Sequence, residues 1–429
     1  MTISTWLNSR RALALVVLSF AVACTKDMTG VRPIDAKAVD VAFCDTPTWV
    51  AFQDGDGAWT RATPPTIAGA VSTYHHTFTT DRGGIAIARD FGGDLTALLI
   101  FYGTPDELPT MSATAPAACG ATSFKTLRGK VAGIDTNEIA RLTSGRGTEG
   151  AFVSIGTGPD FTIRGLSSGP HDILATRTRI VDGTVTLNGI ILRRTPDLPN
   201  QTSLDPIDFK STEAFFPASH SLTLTGPAAT GASGFVGLRT VHGIDDQLAA
   251  VTTTGSGTAL QYAAIPDEHL DAGDLQSITM NAAPVGATVR SASVYFRSAR
   301  DQTLRFGVLP HAPALTVAAT SPALRTSAEF SVDHDYDRLT SISYQQGQTT
   351  FVTVSMTAAY AASHTNTYDL LIPALNDVDG FDSHWALKPG APLLWTATRV
   401  GGSLNVGLNA IPVDGSTRRS ATQGGNFNP

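Results

Sequence analysis

The stretch 350–360 constrains the fold more than any other. Val352, Val354, Met356, Ala358 and Tyr360 fall on one side of an extended chain, and Thr353, Ser355 and Thr357 on the other. Successive side chains of a strand point to opposite faces, so this period of two predicts a half-buried antiparallel strand. The same grain runs through the chain. Short runs rich in Val, Ile, Thr, Phe and Tyr recur between turn residues, at 49–53, 74–79, 84–88, 95–102, 126–131, 173–177, 184–194, 289–297, 341–344 and 393–399 among others. Long runs of Glu, Lys, Arg and Leu are missing, and 40 Gly and 24 Pro supply the turns that many short strands need. The expected fold is all-β: two or three consecutive antiparallel β-sandwich or barrel-like domains after a cleaved signal peptide.

Turn signals divide the chain. Asp54-Gly55-Asp56-Gly57 lies between the runs 49–53 and 58–61. Asp-Gly in that setting marks a hairpin, because its turn positions take positive φ. The expected organisation is a signal peptide at 1–23, a flexible tether at 24–43, an N-terminal β domain at 44–122, a second β-sandwich at 123–235, a C-terminal sandwich or barrel at 236–412, and a disordered tail rich in Gly, Ser, Asn and Arg at 413–429. Short helices are expected at 266–269 and 382–387.

Residues 1–11 carry Arg10 and Arg11 and no acid, 12–23 are apolar or small, and Cys24 follows. A basic start, a short apolar run and small residues before the cut describe an export signal. About a dozen apolar residues are too few for a bilayer core that needs roughly 20, so the run is read as cleaved. Ala21-Val22-Ala23 fits the small-x-small pattern of ordinary signal peptidase. Ala21-Val22-Ala23-Cys24 also resembles the lipobox of bacterial lipoproteins, with Ala21 where the usual box has leucine. Ordinary cleavage would leave a free thiol at the new N-terminus of an exported chain, which favours the lipobox. The resemblance implies a lipidated Cys24 and a membrane partner reached through the anchor. A diacylglyceryl thioether and an amide-linked acyl chain hold stably together, where one chain alone does not. Thr25 follows the cysteine where a sorting aspartate would stand, which points to an outer-membrane lipoprotein of the cell envelope.

Cleavage after Ala23 removes two arginines and no acid, taking the formal charge from −7 to −9. A mildly acidic chain without a basic run gives no footing for a nucleic-acid partner. Cys44 and Cys119 remain once Cys24 is assigned, 75 positions apart (119 − 44). In an oxidising compartment they are expected to pair. A loop of that length corresponds to about 4 kcal/mol in the chain-entropy model.

The run Phe161-Thr-Ile-Arg-Gly-Leu-Ser-Ser-Gly-Pro-His-Asp-Ile-Leu-Ala-Thr-Arg177 resembles the hairpin of carboxypeptidase-regulatory-like, prealbumin-like β-sandwich domains, over about 127–178. There a strand ends in Gly-Leu, a Gly-Pro-type turn follows, and the next strand returns. The Gly-x-Pro-Leu-x-Gly-Ala stretch of that family is absent, and 137–144 stands in its place. The resemblance implies an accessory module that does scaffold or interaction work.

Four features touch on chemistry. Gly165-Leu166-Ser167-Ser168-Gly169 matches Gly-x-Ser-x-Gly, but a nucleophile elbow needs a helix after the turn, and here Pro170 and an apolar run follow. His75 and His76 are adjacent, so on a strand they face opposite ways and do not share a metal. Asp333, Asp335 and Asp337 share one side of an extended segment, and Asp377, Asp379 and Asp382 crowd a loop with Gly380. Carboxylates in such clusters are Ca²⁺ candidates, although neither completes an EF-hand and solvated turns explain both. Trp49, Trp59, Trp385 and Trp395 fit a carbohydrate platform or a β-domain core equally well.

No set of residues converges on a reaction. The expected function is non-catalytic: a membrane-anchored envelope lipoprotein acting as scaffold, adhesin-like or ligand-binding surface, with an unidentified protein or glycan partner and no cofactor. One alternative is an extracytoplasmic hydrolase of glycans or esters with sequence-distant carboxylates, which would show as a pocket with two facing acids about 5–10 Å apart. Another is a lipid or small-ligand carrier, if the last domain closes as a barrel with an apolar interior.

Overall fold

The computed structural model describes residues 31–112, 125–145, 150–166, 169–182, 184–227, 231–253, 259–363, 366–405, 407 and 410–429. The signal, Cys24 and Cys119 lie outside them. The fold is all-β, 57% strand and 4% helix. Among the described residues no helix is long and apolar enough to cross a membrane.

One open sheet of twelve strands forms the spine. In spatial order the strands are Asp245–Ala250, Ser233–Arg239, Leu275–Asn281, Thr288–Phe296, Thr417–Phe427, Leu393–Gly401, Leu339–Gln346, Thr350–Thr357, Thr96–Gly103, Gly83–Asp90, Trp49–Asp54 and Thr60–Arg61. Every neighbour is antiparallel except at one seam. There Thr350–Thr357 runs parallel to Thr96–Gly103, with Thr350 opposite Thr96 and Met356 opposite Tyr102. This seam corrects the expectation that 44–122 and 236–412 are separate domains. They share a sheet, and pairing between strands some 250 positions apart leaves no local trace in sequence. The sheet does not close, so the barrel expectation is corrected too.

A strand covered on both faces reads as an unbroken apolar run. Trp49-Val50-Ala51-Phe52 and Ile85-Ala86-Ile87-Ala88 are such runs. Val50, Phe52, Ile85 and Ile87 pack under a sheet of Pro33–Phe43, Val71–Thr80 and Thr66–Ala68, against Val41, Phe43 and Phe78. Trp49, Ala51, Ala86 and Ala88 face the other way. They share a core with Ala328, Phe330 and Leu370 of a sheet built from Ala314–Ala319, Arg325–Ser331 and Thr367–Leu371. Between them, Asp54 and Gly55 (φ +58°) make the expected turn. Burial pushes the Asp54 carboxyl up, but hydrogen bonds from the amides and hydroxyls of Thr79 and Thr80 more than offset it and hold it below the usual aspartate value.

Two segments expected to lack structure are strands. Pro33–Phe43, read as tether, buries Val39, Val41 and Phe43 at alternate positions, a period that its polar first half hides. Thr417–Phe427, read as a disordered tail, lies inside the spine between Thr288–Phe296 and Leu393–Gly401. Its composition is polar because one face is open and the other buries little more than Ala421 and Gln423. The Gln423 amide donates to Thr288 Oγ1 (3.1 Å) and to the Pro310 carbonyl (2.8 Å).

The middle block is a sandwich. Gly150–Ser154, Glu138–Ser144, His171–Val181 and Thr184–Thr195 form one sheet, and Asp160–Leu166, Lys125–Ala132 and Thr202–Ser203 the other. Leu127, Leu142, Phe161, Ile163 and Ile191 fill it. Asp160–Leu166 and His171–Val181 belong to different sheets, so the run 161–177 crosses the sandwich and is not a hairpin. Leu174 and Ile190 leave the back of the first sheet to join Val236, Leu260 and Ile278 in the core at the spine's far end. Single 3₁₀ turns stand at Asp267–His269 and Ser383–Trp385, inside the two short helices expected. The Thr350–Thr357 strand stops short of Tyr360, which opens another such turn.

Candidate binding face and cavity

The middle of the spine buries one face only. Tyr344, Val352, Val354, Leu393 and Ala397 turn into the core. The opposite side chains of the same strands meet no covering sheet, and they are hydroxyls. Ser355 donates to Ser341 (2.9 Å). Ser343 pairs with Thr353 (2.9 Å), Thr398 with Thr422 (3.2 Å), Ser291 with Ser420 (2.7 Å) and Thr279 with Ser293 (2.9 Å). These pairs follow from register, since Ser341 stands opposite Ser355 and Thr398, and Ser420 opposite Ser291. Gln345, Thr396, Gly424, Asn426 and Ser277 complete the face, with Phe351, Leu394 and Val289 as apolar points. Across the strands from Leu275–Asn281 to Thr350–Thr357, Arg418 is the one charge on this side. The solvated face of an antiparallel sheet ordinarily alternates polar and charged groups. Here six adjacent strands show a hydroxyl-rich array whose one charge is Arg418.

A cavity of about 370 Å³ opens at one end of this face, beneath the chain that links Leu393–Gly401 to Thr417–Phe427. Its floor is Phe101, Leu339, Ser355, Val400, Tyr295, Arg418 and Arg239, and Leu404, Asn405, Gly407, Ala410 and Pro412 cover it. The cover is tied down. Leu404 N donates to the Thr417 carbonyl (3.0 Å), and Val413 N to Ser416 Oγ (3.0 Å). Gly407 sits at φ +137° against the helical turn Leu108–Ser112, where a Cβ would come within 2.5 Å of the Thr110 carbonyl. Among the described residues no acid lines the cavity, Arg418 and the Tyr295 hydroxyl have no partner, and Arg239 reaches Asp245 only at 3.8 Å.

A second cavity, of about 480 Å³, shares Asn405 and Ala410 and carries Asp106, Glu107, Asp337 and Arg338. Its acids have partners. Asp106 pairs with Lys37, Glu107 accepts from Thr104 and Thr357, and Asp337 accepts from Gly402 N (3.3 Å).

The six calcium candidates are not brought together. Asp333 caps Asp335 N. Asp335 takes the Arg305 guanidinium and Val308 N (2.9 Å); burial raises its carboxyl, and these partners bring it below the usual value. Asp379 holds Arg61 (3.1 Å), and its carbonyl takes Trp49 Nε1 (3.0 Å). Asp382 caps the turn at Ser383–Trp385. Among the described residues no group of three His, Cys, Asp or Glu is placed to hold a metal ion. Trp49 and Trp385 are core, and Trp59 and Trp395 pack against it, so the four tryptophans make no platform. His75 pairs outward with Asp40 (2.7 Å) while His76 stacks on Phe52, one on each face. Cys44 is disulfide-bonded, and the expected partner Cys119 lies outside the described residues. Ser167 and Ser168 also lie outside them, and a strand, not a helix, follows at His171.

Sequence reasoning missed two charged joints. Arg194 binds Asp172 (2.5 Å), Asp271 (3.2 Å) and Asp274, and His242 approaches Asp172 (3.3 Å). Asp172 and Asp274 are fully buried. Burial pulls the guanidinium pKa down, and the two carboxylates more than offset it and leave it raised. The second joint is Asp90, His384 and Asp382, with His384 Nε2 3.0 Å from Asp90 and Nδ1 2.8 Å from Asp382. These residues come from distant stretches, and no spacing marks them.

No family model and no curated protein matches this chain. A solved structure titled "The Bacillus anthracis TIE protein" is similar at 8% identity over 90% of this chain and 67% of that one, with a TM-score of 0.14. At that score the likeness carries no argument about fold or role.

Proposed function

We propose that this chain is an exported, lipid-anchored envelope protein whose folded part is a non-catalytic glycan-binding surface module. The observation that supports it is the hydroxyl-rich face with Arg418 as its one charge. Neutral polysaccharide presents repeating hydroxyls of its own. A surface of paired Ser and Thr can exchange hydrogen bonds with such a polymer without stripping water from a fixed charge, which is the costly step in burying polar surface. The anchoring half of the proposal rests on the lipobox at Cys24. The hydrolase alternative rests on the second cavity, whose acids are engaged by Lys37, Thr104, Thr357 and Gly402.

The test uses the mature chain carrying Cys24→Ser. Co-sedimentation with insoluble neutral polysaccharides should retain it, and Thr396→Lys with Leu394→Lys, both at exposed positions, should cut retention at least fivefold with the fold unchanged. Equal retention of the double variant, or no retention on any polysaccharide, ends the glycan reading. Labelling cells with a radiolabelled fatty acid separately tests the anchor: wild type should be marked and Cys24→Ala not.

A further inference from the structure

We infer that the cavity of about 370 Å³ beside Tyr295 is a second binding site, for a small amphiphilic anion: one carboxylate or phosphate head on an apolar body. The site goes beyond the glycan reading and does not depend on it. Its volume lies within the range of small-molecule sites, which are largely apolar with a few convergent polar groups. The apolar part is Phe101, Leu339, Val400 and Leu404. The polar part is at the other end. Tyr295 stands on Thr288–Phe296, with Arg418 on the adjoining strand and Arg239 two strands away on the other side. Register also sets them four residues apart along the strands, so the two arginine backbones are about 20 Å apart. Tyr295 lies between them in register, and all three side chains line the cavity.

Charge selects the ligand. Among the described residues two cations and no acid line the cavity, so it repels a cation and favours an anionic head over a neutral one. Arg418 and the Tyr295 hydroxyl are donors without an acceptor among the described residues, and Arg239 has only a distant one. A planar guanidinium fork matches a carboxylate or a phosphate in two parallel hydrogen bonds. An anionic head supplies the missing acceptor at Arg418 and Tyr295, with Arg239 adding positive charge farther along the cavity, and its apolar body fills the end under Leu404.

Isothermal titration calorimetry of the mature chain carrying Cys24→Ser, with decanoate, decyl phosphate, decanol and decylammonium, reads this directly. At least one of the two anions should bind one-to-one, and the tighter of them assigns the head. Decanol should bind at least tenfold more weakly, and decylammonium not at all. Arg418→Gln should weaken the anion at least tenfold. Leu404→Trp should block it. Arg239→Gln, on Ser233–Arg239 outside the six strands of the hydroxyl face, should weaken the anion and leave polysaccharide retention unchanged, so this site and the glycan face fail separately. Binding of decanol as tight as the anions, wild-type affinity in Arg418→Gln, or no heat with either anion would overturn the assignment.

Discussion

Arg194 carries more of the stability than any sequence motif suggests. Asp172 and Asp274 are fully buried and share its guanidinium, and Asp274 also takes the amides of Val241 (3.0 Å) and Asp271 (2.9 Å). Removing one member of a buried ion cluster leaves uncompensated charge and costs about 3–5 kcal/mol, whereas removing the whole cluster can be close to neutral. Arg194→Met should therefore lower the unfolding free energy by about 3 kcal/mol or more in urea titration. Adding Asp172→Asn and Asp274→Asn should restore part of that loss. A change below about 1 kcal/mol for the single variant would show that solvent at the partly exposed arginine already screens the cluster.

At the scale of elements, the apolar strands were legible and the polar ones were not. Trp49–Asp54, Gly83–Asp90 and Thr96–Gly103 declare themselves because both faces are buried and the sequence stays apolar. Thr350–Thr357 declares itself by alternation, with Val352 and Val354 inward and Thr353 outward. Thr417–Phe427 has neither signal: Gly424, Gly425 and Asn426 argue for a coil, and only Ala421 and Gln423 turn inward to be buried. Its position is dictated by its neighbours' unpaired backbone groups, which a single sequence does not display. The hydroxyl face was hidden for the same reason, because its Ser and Thr come from six strands whose order is not the chain order. The tail therefore yields a sharp expectation. A chain ending at Ser416 loses a strand from inside the spine and exposes two new edges, which invites intermolecular pairing. It should be recovered as insoluble aggregate or lack a cooperative melt. A soluble truncated chain with wild-type thermal stability would show the strand to be dispensable.

The whole molecule is held across its length by contacts between residues roughly 300 positions apart. Trp385 Nε1 donates to Asp90 (2.9 Å), Trp49 Nε1 to the Asp379 carbonyl (3.0 Å), and Arg61 to Asp379 (3.1 Å). With the parallel seam at Thr96–Gly103, these make the first and third blocks one cooperative unit. The titratable member is His384. The Asp382 carboxylate raises its pKa above the ordinary 6.5; burial pulls the other way, and Asp90 adds to the rise. Asp90 is lowered: burial would raise it, and hydrogen bonds from His384 and Trp385 outweigh that. Asp382 is lowered by hydrogen bonds from the His384 amide and ring. A group whose folded pKa is raised contributes stability below its unfolded value and loses it as pH climbs through the folded one; a lowered carboxyl contributes above its unfolded value and loses it as pH falls through the folded one. The clasp is therefore at full strength between the unfolded values, about 3.8 for the aspartates and 6.5 for the histidine. Differential scanning calorimetry of wild type against His384→Gln should show one transition in each, with wild type melting higher at about pH 5 and the gap narrowing steadily toward pH 9. A gap that stays constant from pH 5 to 9 would mean that His384 acts by packing on Trp385, with no part played by its charge. Two separate transitions in wild type would mean that the seam does not couple the blocks.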